Sequence, residues 1–471
     1  TMEAMPTALR RLERATRQAR WRAPTFAVRA EQVELLDGPH AFQEAVVRGV
    51  KQAKARVAVA SLYVGIESKL VDEVYLALEQ RTKDGSKLDV AVLVDGWRAT
   101  RPTRDVDGRW TSTARKLAEH LQPKPWEEKH RKVRVGLYQT PAMRGLARKL
   151  LPPRYKEVVG VHHVKAFVFD DDVLITGANL SHDYFTARQD RYLHLRNAKP
   201  VADHMAKLLD AVMDLSYPLQ ADGSLGNIPC GIDPHQQPKE FKNHFNDTVG
   251  AIATAQGPAL EHAPDADTYV IPTFQMGQFD LRQDEEYTKA VISMAEPGSQ
   301  LRLASAYLNL AKSYELCMAK AVQNGVDLSF LTASPQANGF FGAKGPAGYI
   351  PRAYSILEER LYQRLKCHIW EYSRPGWQFH GKGLWYIPPN QRTPVLTSIG
   401  SPNFGYRSIR RDMECQLYLF TRNSNLRKTL HEEMEHLHQH AKAIDPTDFQ
   451  HEGRRSGPMA RAAMNLIRHY L

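Results

Sequence analysis

The sequence predicts an α/β protein built from two copies of one unit. Each copy is expected to be a mostly parallel sheet flanked by helices, the two related by a pseudo-twofold axis with an active site at their interface. Three observations carry that expectation. Apolar, β-branched runs of strand length alternate with segments of helical apolar spacing, the pattern of a sheet layered between helices. The same order of segments occurs twice along 471 residues, a length that holds two units each able to bury a core. A His-x-Lys pair, followed by a strand, a Gly/Asn turn and an acidic residue, occurs once in each half.

Taken in order, residues 1–23 carry Arg10, Arg11, Arg14, Arg17, Arg20 and Arg22 with Leu9, Leu12 and Ala15 between them. This basic N-terminal tail reads as a short solvated helix, with a membrane-surface contact as the sharper alternative. Residues 42–54 have helical spacing and 56–63 (RVAVASLY) form a buried strand; 70–80 are helical and 88–94 a second strand; 111–121 are helical and 133–138 a third. Residues 142–151 place Met143, Leu146, Ala147, Leu150 and Leu151 on one helical face, with Arg144, Arg148 and Lys149 off it, until Pro152-Pro153 stop the helix. Beside a phosphate-handling site, Met143, Leu146 and Leu150 with Arg144 and Arg148 read as an interfacial anchor for acidic lipid. The competing reading packs the same face into the core.

Residues 166–169 and 173–176 are two apolar strands joined by the acidic turn Asp170-Asp171-Asp172, a hairpin by turn chemistry. Residues 219–268, rich in Gly, Pro, Asp and His, read as a linker around one helix near 240–255. The order then repeats, with strands at 300–308, 326–332 and 368–372 and a second His-x-Lys hairpin after them. The units so defined are 24–218 and 269–445, with a basic segment at 446–471. Residues 338–348 (NGFFGAKGPAG) follow the second of these strands. Their glycines let backbone N–H groups approach an anion, to which Lys344 would add a charge; a plain connection is the alternative.

The chemistry concentrates in 160–195 and 379–420. In the first, His163 and Lys165 are followed by Asp170, Gly177-Ala178-Asn179, Ser181 and Asp190; in the second, His380 and Lys382 are followed by Gly400-Ser401, Asn403 and Glu414. Asp190 and Glu414 stand at the same offset past Asn179 and Asn403. Lysine donates to phosphate oxygens as a point charge, asparagine and serine supply neutral donors, and histidine attacks or carries a proton. Paired in this way, they suit an anionic phosphorus centre.

The formal net charge of +11 favours an anionic partner, whether acidic membrane, phosphorylated substrate or nucleic acid. Four cysteines without CxxC spacing argue against a zinc site or a disulfide framework. Neither His-x-Lys stretch has the carboxylate cluster of a dedicated metal site, so no metal and no cofactor are expected. No apolar run reaches the length of a membrane span. The chain opens Thr1-Met2, and the threonine reads as an addition; a targeting peptide is expected to have been removed ahead of it.

The pattern HxKxxxxDxxxxxxG with a nearby Asn resembles the phospholipase D superfamily. The first copy fits throughout, whereas Ile387 occupies the Asp position of the second and the following loop is longer. Longer stretches narrow the resemblance. TGANLSxxYFTxRQDRY around Asn179, NGFFGAKGxAGxIPxAY around Lys344 and GSPNFGYRS around Asn403 are similar to the eukaryotic mitochondrial phosphatidylglycerophosphate synthases, from about residue 25 onward. That resemblance implies transfer of a phosphatidyl group from CDP-diacylglycerol to glycerol-3-phosphate with release of CMP, on the way to cardiolipin. It implies a peripheral enzyme of the mitochondrial inner membrane, at the matrix face, with no nucleic-acid partner. A nucleic-acid phosphodiesterase of the same fold, and a phosphatidylserine synthase or phospholipase D, are the alternatives.

On this reading His163 attacks phosphorus and His380 serves as base, because the first copy matches the pattern fully; the reverse assignment stays open. Asp190 and Glu414 each orient a histidine. Lys165, Lys382, Lys344 and Arg407 answer the phosphate charge, with Asn179, Ser181, Ser401 and Asn403 as neutral substrate contacts.

Overall fold

The structure is a computed structural model that describes residues 7–17, 19–83, 87–122, 133–257, 265–343, 348, 350–450 and 464. Its two sheets share one strand order. In the eight-stranded N-terminal sheet the order is Tyr217–Pro218, Val133–Tyr138, Asp89–Asp95, Arg56–Ala60, Ala166–Phe169, Asp172–Thr176, Tyr192–Leu195 and Val33–Leu35. Ala441–Ala443, His368–Tyr372, Asp327–Ala333, Gln300–Ser305, Lys382–Ile387, Leu396–Gly400, Met413–Thr421 and Thr268–Met276 repeat that order in the C-terminal sheet. The second sheet has two more strands, Phe26–Val28 beside Thr268–Met276 and the short Leu281–Arg282.

The two α/β units are present, but the expectation of mostly parallel sheets is corrected. Parallel pairing is confined to three strands in each: 56–60, 89–95 and 133–138, and 300–305, 327–333 and 368–372. All other pairs within these two sheets are antiparallel. The reason lies in the connections. Crossover helices such as Lys69–Lys83 and Lys312–Gln323 return the chain to start a parallel neighbour, whereas the hairpin at Asp170–Asp172 and its counterpart reverse it.

The hairpin turn is held by Asp170, whose left-handed φ of 52° lets its carboxylate accept the N–H groups of Lys54, Ala55 and Arg56 at 2.8, 2.7 and 3.0 Å. In the second unit Ile387 pairs with Gln300 at the equivalent point, so the missing aspartate removes a clasp and leaves the hairpin.

Helices Gly38–Gln52, Lys69–Lys83 and Thr113–Leu121 cover the outer face of the first sheet with Phe42, Val46, Val74, Leu78 and Leu117. Between the sheets lies a shared apolar layer, drawing Ala58, Val168 and Ile175 from one and Phe274, Ile399 and Leu417 from the other, with helix Lys199–Asp214. The expected linker helix, observed over 238–253 with a π-helical turn at Asn246–Gly250, fills the same layer through Phe241, Phe245 and Val249.

The N-terminal segment departs from the reading of a solvated tail. Helix Thr7–Ala15 buries Ala8, Leu9 and Leu12 in the core of the second unit, and Arg11 pairs with Glu296. Strand Phe26–Val28 then joins the second sheet before Val33–Leu35 joins the first. The chain therefore stitches the units together, and the boundaries 1–23 and 24–218 do not separate them. Of the basic segment 446–471, Pro446–Gln450 forms a 3-10 turn with Phe449 against the second core; only Met464 is described beyond it.

Candidate active site

The His-x-Lys pairs lie where each hairpin enters the space between the sheets, and the two entrances are built alike. The His163 N–H donates to the Met413 carbonyl at 2.8 Å, and the His380 N–H donates to the Gln189 carbonyl at 2.7 Å. Short parallel contacts carry both: His162 with Met413, and Arg188–Gln189 with Gln378–Phe379. Each histidine is thereby pinned beside the residue that precedes the other unit's acid.

The side chains follow. His163 Nδ1 lies 2.8 Å from Glu414 Oε2, and His380 Nδ1 lies 2.6 Å from Asp190 Oδ2. Both acids are fully buried. Neither His-x-Lys histidine takes its carboxylate from its own unit; each unit supplies the acid for the other's histidine.

Lys382 Nζ lies 2.7 Å from His380 Nδ1, donates to the His380 carbonyl at 2.7 Å and stands 4.0 Å from Asp190. Behind it the chain must pass closely. Gly383 has φ 120°, and a Cβ there would run into the Ser398 carbonyl, so glycine is required. Lys165 Nζ, Asn179 Oδ1 and Asn403 Oδ1 are buried without a hydrogen-bond partner in the described structure. Such groups are costly unless a polar ligand meets them.

Burial lowers both histidines well below the ordinary value, and the neighbouring lysine deepens the shift at each. Burial also lowers Lys165, against the pull of Glu414, and brings Lys382 down to about 8 against Asp190 and Glu414. It raises Glu414, against Lys165, and pushes Asp190 up to about 6. The site thus holds two neutral imidazoles, the form that can attack or accept a proton.

The two histidines differ at the other nitrogen. His380 Nε2 meets the Tyr184 hydroxyl at 3.1 Å, whereas no hydrogen bond reaches His163 Nε2 among the described residues.

The remaining expected contacts divide. Ser181 lies 3.2 Å from the Tyr63 hydroxyl and heads the helix His182–Thr186. Ser401 is engaged with the backbone of Cys415, where it steadies the strand carrying Glu414. Arg407 is held by Asp412 at 2.7 Å and by the Glu157 carbonyl at 2.8 Å, so it clamps the loop ahead of His163. Lys344 lies outside the described residues. Met143 is corrected: it is buried, because the helix begins only at Gly145 and Met143 sits in the turn before it. Leu146 and Leu150 are 74% and 75% exposed, which removes the core reading of their face. Arg144 is exposed, while Arg148 turns back towards the ring of Trp97.

Three residues escaped the sequence reading. Asp412 accepts the Val161 N–H at 3.0 Å and holds Arg407. Tyr184 and Arg188 flank His380. Tyr184 and Arg188 lie inside the YFTARQDRY run and Asp412 two residues before Glu414, so proximity to the motif was their only signal.

The expectation of no carboxylate cluster also needs amendment. Ligand atoms of His163, Asp412 and Glu414 lie within 4.8 Å of one another. Both Asp412 oxygens and Glu414 Oε2 already accept protein hydrogen bonds, and Lys165 faces the same carboxylates. A separate groove of about 620 Å³ lies between the N-terminal helix and residues 386–395 and 421–427, with no histidine among the described residues of its walls.

Two His-x-Lys hairpins thus close around one buried centre, each histidine set against the other unit's acid. No family model matches the chain. The mitochondrial CDP-diacylglycerol–glycerol-3-phosphate 3-phosphatidyltransferase of Cricetulus griseus is 34% identical over 483 residues, 95% of this chain and 85% of the relative. Its Homo sapiens counterpart is likewise 34% identical, over 95% and 84%. This chain belongs to the family of CDP-diacylglycerol–glycerol-3-phosphate 3-phosphatidyltransferases. A solved phosphatidylserine synthase from Haemophilus influenzae shares the fold, with a TM-score of 0.72 at 20% identity over 98% of this chain and all of that one.

Proposed function

We infer that the protein transfers the phosphatidyl group of CDP-diacylglycerol to glycerol-3-phosphate through a phosphatidyl-histidine on His163. The supporting observation is the asymmetry at Nε2: His163 offers an unoccupied lone pair, and His380 a nitrogen already in a hydrogen bond. In the first step His163 Nε2 attacks phosphorus, the bond to the CMP phosphate oxygen breaks, and the electron pair leaves with CMP. Glu414 steadies the charge that appears on the imidazole, through Nδ1–H. Lys165 and Lys382 answer the charge on the transferred phosphoryl oxygens, with Asn179 and Asn403 as neutral donors.

CMP leaves as a phosphate whose second pKa is about 6, so it needs little protonation. The glycerol hydroxyl is a far weaker acid. In the second step it attacks phosphorus while passing its proton to His380 Nε2, the bond to His163 breaks, and Asp190 stabilises the imidazolium of His380. The acceptor hydroxyl takes the place that Tyr184 holds in the free enzyme.

The same reading seats the protein peripherally on an anionic membrane, at the matrix face of the mitochondrial inner membrane, within cardiolipin synthesis. Among the described residues no helix is long and apolar enough to cross a membrane. Leu146, Leu150 and Tyr155 are exposed on a segment whose Glu157 carbonyl holds Arg407, so this apolar edge borders the site. Inserting each leucine contributes about 1.5–3 kcal/mol, and Arg144 and Lys149 lie beside them on the exposed surface.

The test is incubation of the protein with CDP-diacylglycerol and glycerol-3-phosphate, serine or water as acceptor. Phosphatidylglycerophosphate and CMP are expected from the first mixture alone. Phosphatidylserine, or phosphatidic acid, as the main product would overturn the assignment.

A further inference from the structure

The reaction needs two separate anion sites, because a donor pyrophosphate and an acceptor phosphate are held at once. Lys165 and Lys382 serve the reacting phosphorus. Of the arginines nearby, Arg191 is spent on structure: Glu433 takes its Nε and Nη2 at 2.8 Å each, and Thr397 and the Ser398 carbonyl take further bonds. Arg407 is held by Asp412 and the Glu157 carbonyl.

Arg188 is different. Its Nε donates to Gln378 Oε1 at 2.6 Å and its Nη2 to Asp183 at 3.0 Å, while Nη1 makes no hydrogen bond among the described residues. Asp183 is 56% exposed, so that ion pair is weak and replaceable. The guanidinium stacks 4.5 Å from the ring centre of Tyr184, whose hydroxyl occupies His380 Nε2. Tyr307, edge-on to His380, and Gly339 of the glycine-rich stretch close the other side. A Cβ at 339 would lie 3.2 Å from the Tyr307 hydroxyl and 3.8 Å from Arg188 Nη2, so glycine keeps that wall thin.

We propose that Arg188, walled by Tyr184, Tyr307 and Gly339, is the subsite for the phosphate of the acceptor. The guanidinium lies one tyrosine ring from the base. That spacing suits an acceptor whose attacking hydroxyl and phosphate are joined by three carbons. The planar fork offers a second donor direction to a dianion once Asp183 yields. Arg188 thereby selects a phosphorylated alcohol over glycerol, serine or water. This inference rests on the phosphatidyl-transfer reading given above.

The experiment compares wild type with Arg188→Ala, Arg188→Gln and Arg188→Lys. Three quantities are measured: KM for glycerol-3-phosphate, the kcat/KM ratio for glycerol-3-phosphate over glycerol, and exchange of CMP into CDP-diacylglycerol without acceptor. The Ala and Gln variants are expected to raise KM for glycerol-3-phosphate by about thirtyfold or more, the loss typical of one partner of a buried charge pair. Their selectivity ratio falls by the same factor. Any loss in exchange is at least about tenfold smaller than the loss in synthesis, and lysine recovers part of the affinity. Arg188→Gln keeps a hydrogen-bonding amide beside Gln378, so the comparison survives if the alanine protein does not fold. A KM within about threefold of wild type, or parallel losses in synthesis and exchange, overturns the subsite. A wild type that makes no phosphatidylglycerophosphate overturns the functional reading instead.

Discussion

Glu414 and Asp190 each serve the histidine of the opposite unit, and this makes their substitutions distinguishable. Glu414→Gln keeps the shape but loses the charge that favours the His163 imidazolium. It is expected to slow CMP exchange by at least about a hundredfold, by analogy with the acid of hydrolase triads. Asp190→Asn is expected to slow net synthesis more than exchange, because only the acceptor step needs His380 as base. Equal effects of Asp190→Asn on the two assays would contradict the pairing. The lysines give a pH test. With Lys382 lowered to about 8, the ammonium is present below that pH and lost above it. Since kcat/KM reports the free enzyme, kcat/KM for CDP-diacylglycerol should fall above about pH 8. A profile flat to pH 10 would contradict a buried, functionally charged lysine. The motif residues themselves were legible from spacing and chemistry. Which acid meets which histidine was not, because the partners are 251 and 190 residues apart and only the docking of two sheets joins them.

At the scale of elements, helical periodicity located helices correctly but did not say what covers their apolar faces. Leu9 and Leu12 looked like the sparse apolar residues of a solvated helix, yet both are fully buried against the second unit. Leu9→Ala with Leu12→Ala should destabilise the protein by about 2–5 kcal/mol per site, read as a lower Tm. An unchanged Tm would return the segment to the tail. The helix Gly145–Leu150 shows the opposite outcome, with Leu146 and Leu150 left in solvent. Leu146→Glu with Leu150→Glu should weaken binding to cardiolipin-containing liposomes and leave Tm unchanged. Undiminished binding would remove the anchor. Val33–Leu35, Tyr192–Leu195 and Thr268–Met276 went unread, but the three crossover strands and the hairpin strands of each unit were as readable as the helices, since buried β-branched runs are distinctive. Their direction was not, because alternation with helices holds for three strands of each unit and the hairpins then reverse it.

For the whole molecule, duplication was visible as a repeated order of segments, and the structure adds what duplication achieves. Two near-equivalent hairpins meet in one buried centre, and the proposed mechanism divides their tasks by small differences: a clasp at Asp170 replaced by Ile387, and Tyr184 set against His380 Nε2 where, among the described residues, no hydroxyl bonds His163. The most direct test of this division of labour is exchange of labelled CMP into CDP-diacylglycerol with no glycerol-3-phosphate present. Exchange requires only the first displacement and its reverse. Wild type is expected to exchange, His163→Ala to lose exchange and synthesis together, and His380→Ala to lose synthesis more severely than exchange. Exchange that survives in His163→Ala and vanishes in His380→Ala would reverse the two roles, and a wild type with synthesis but no exchange would contradict the phosphatidyl-histidine altogether.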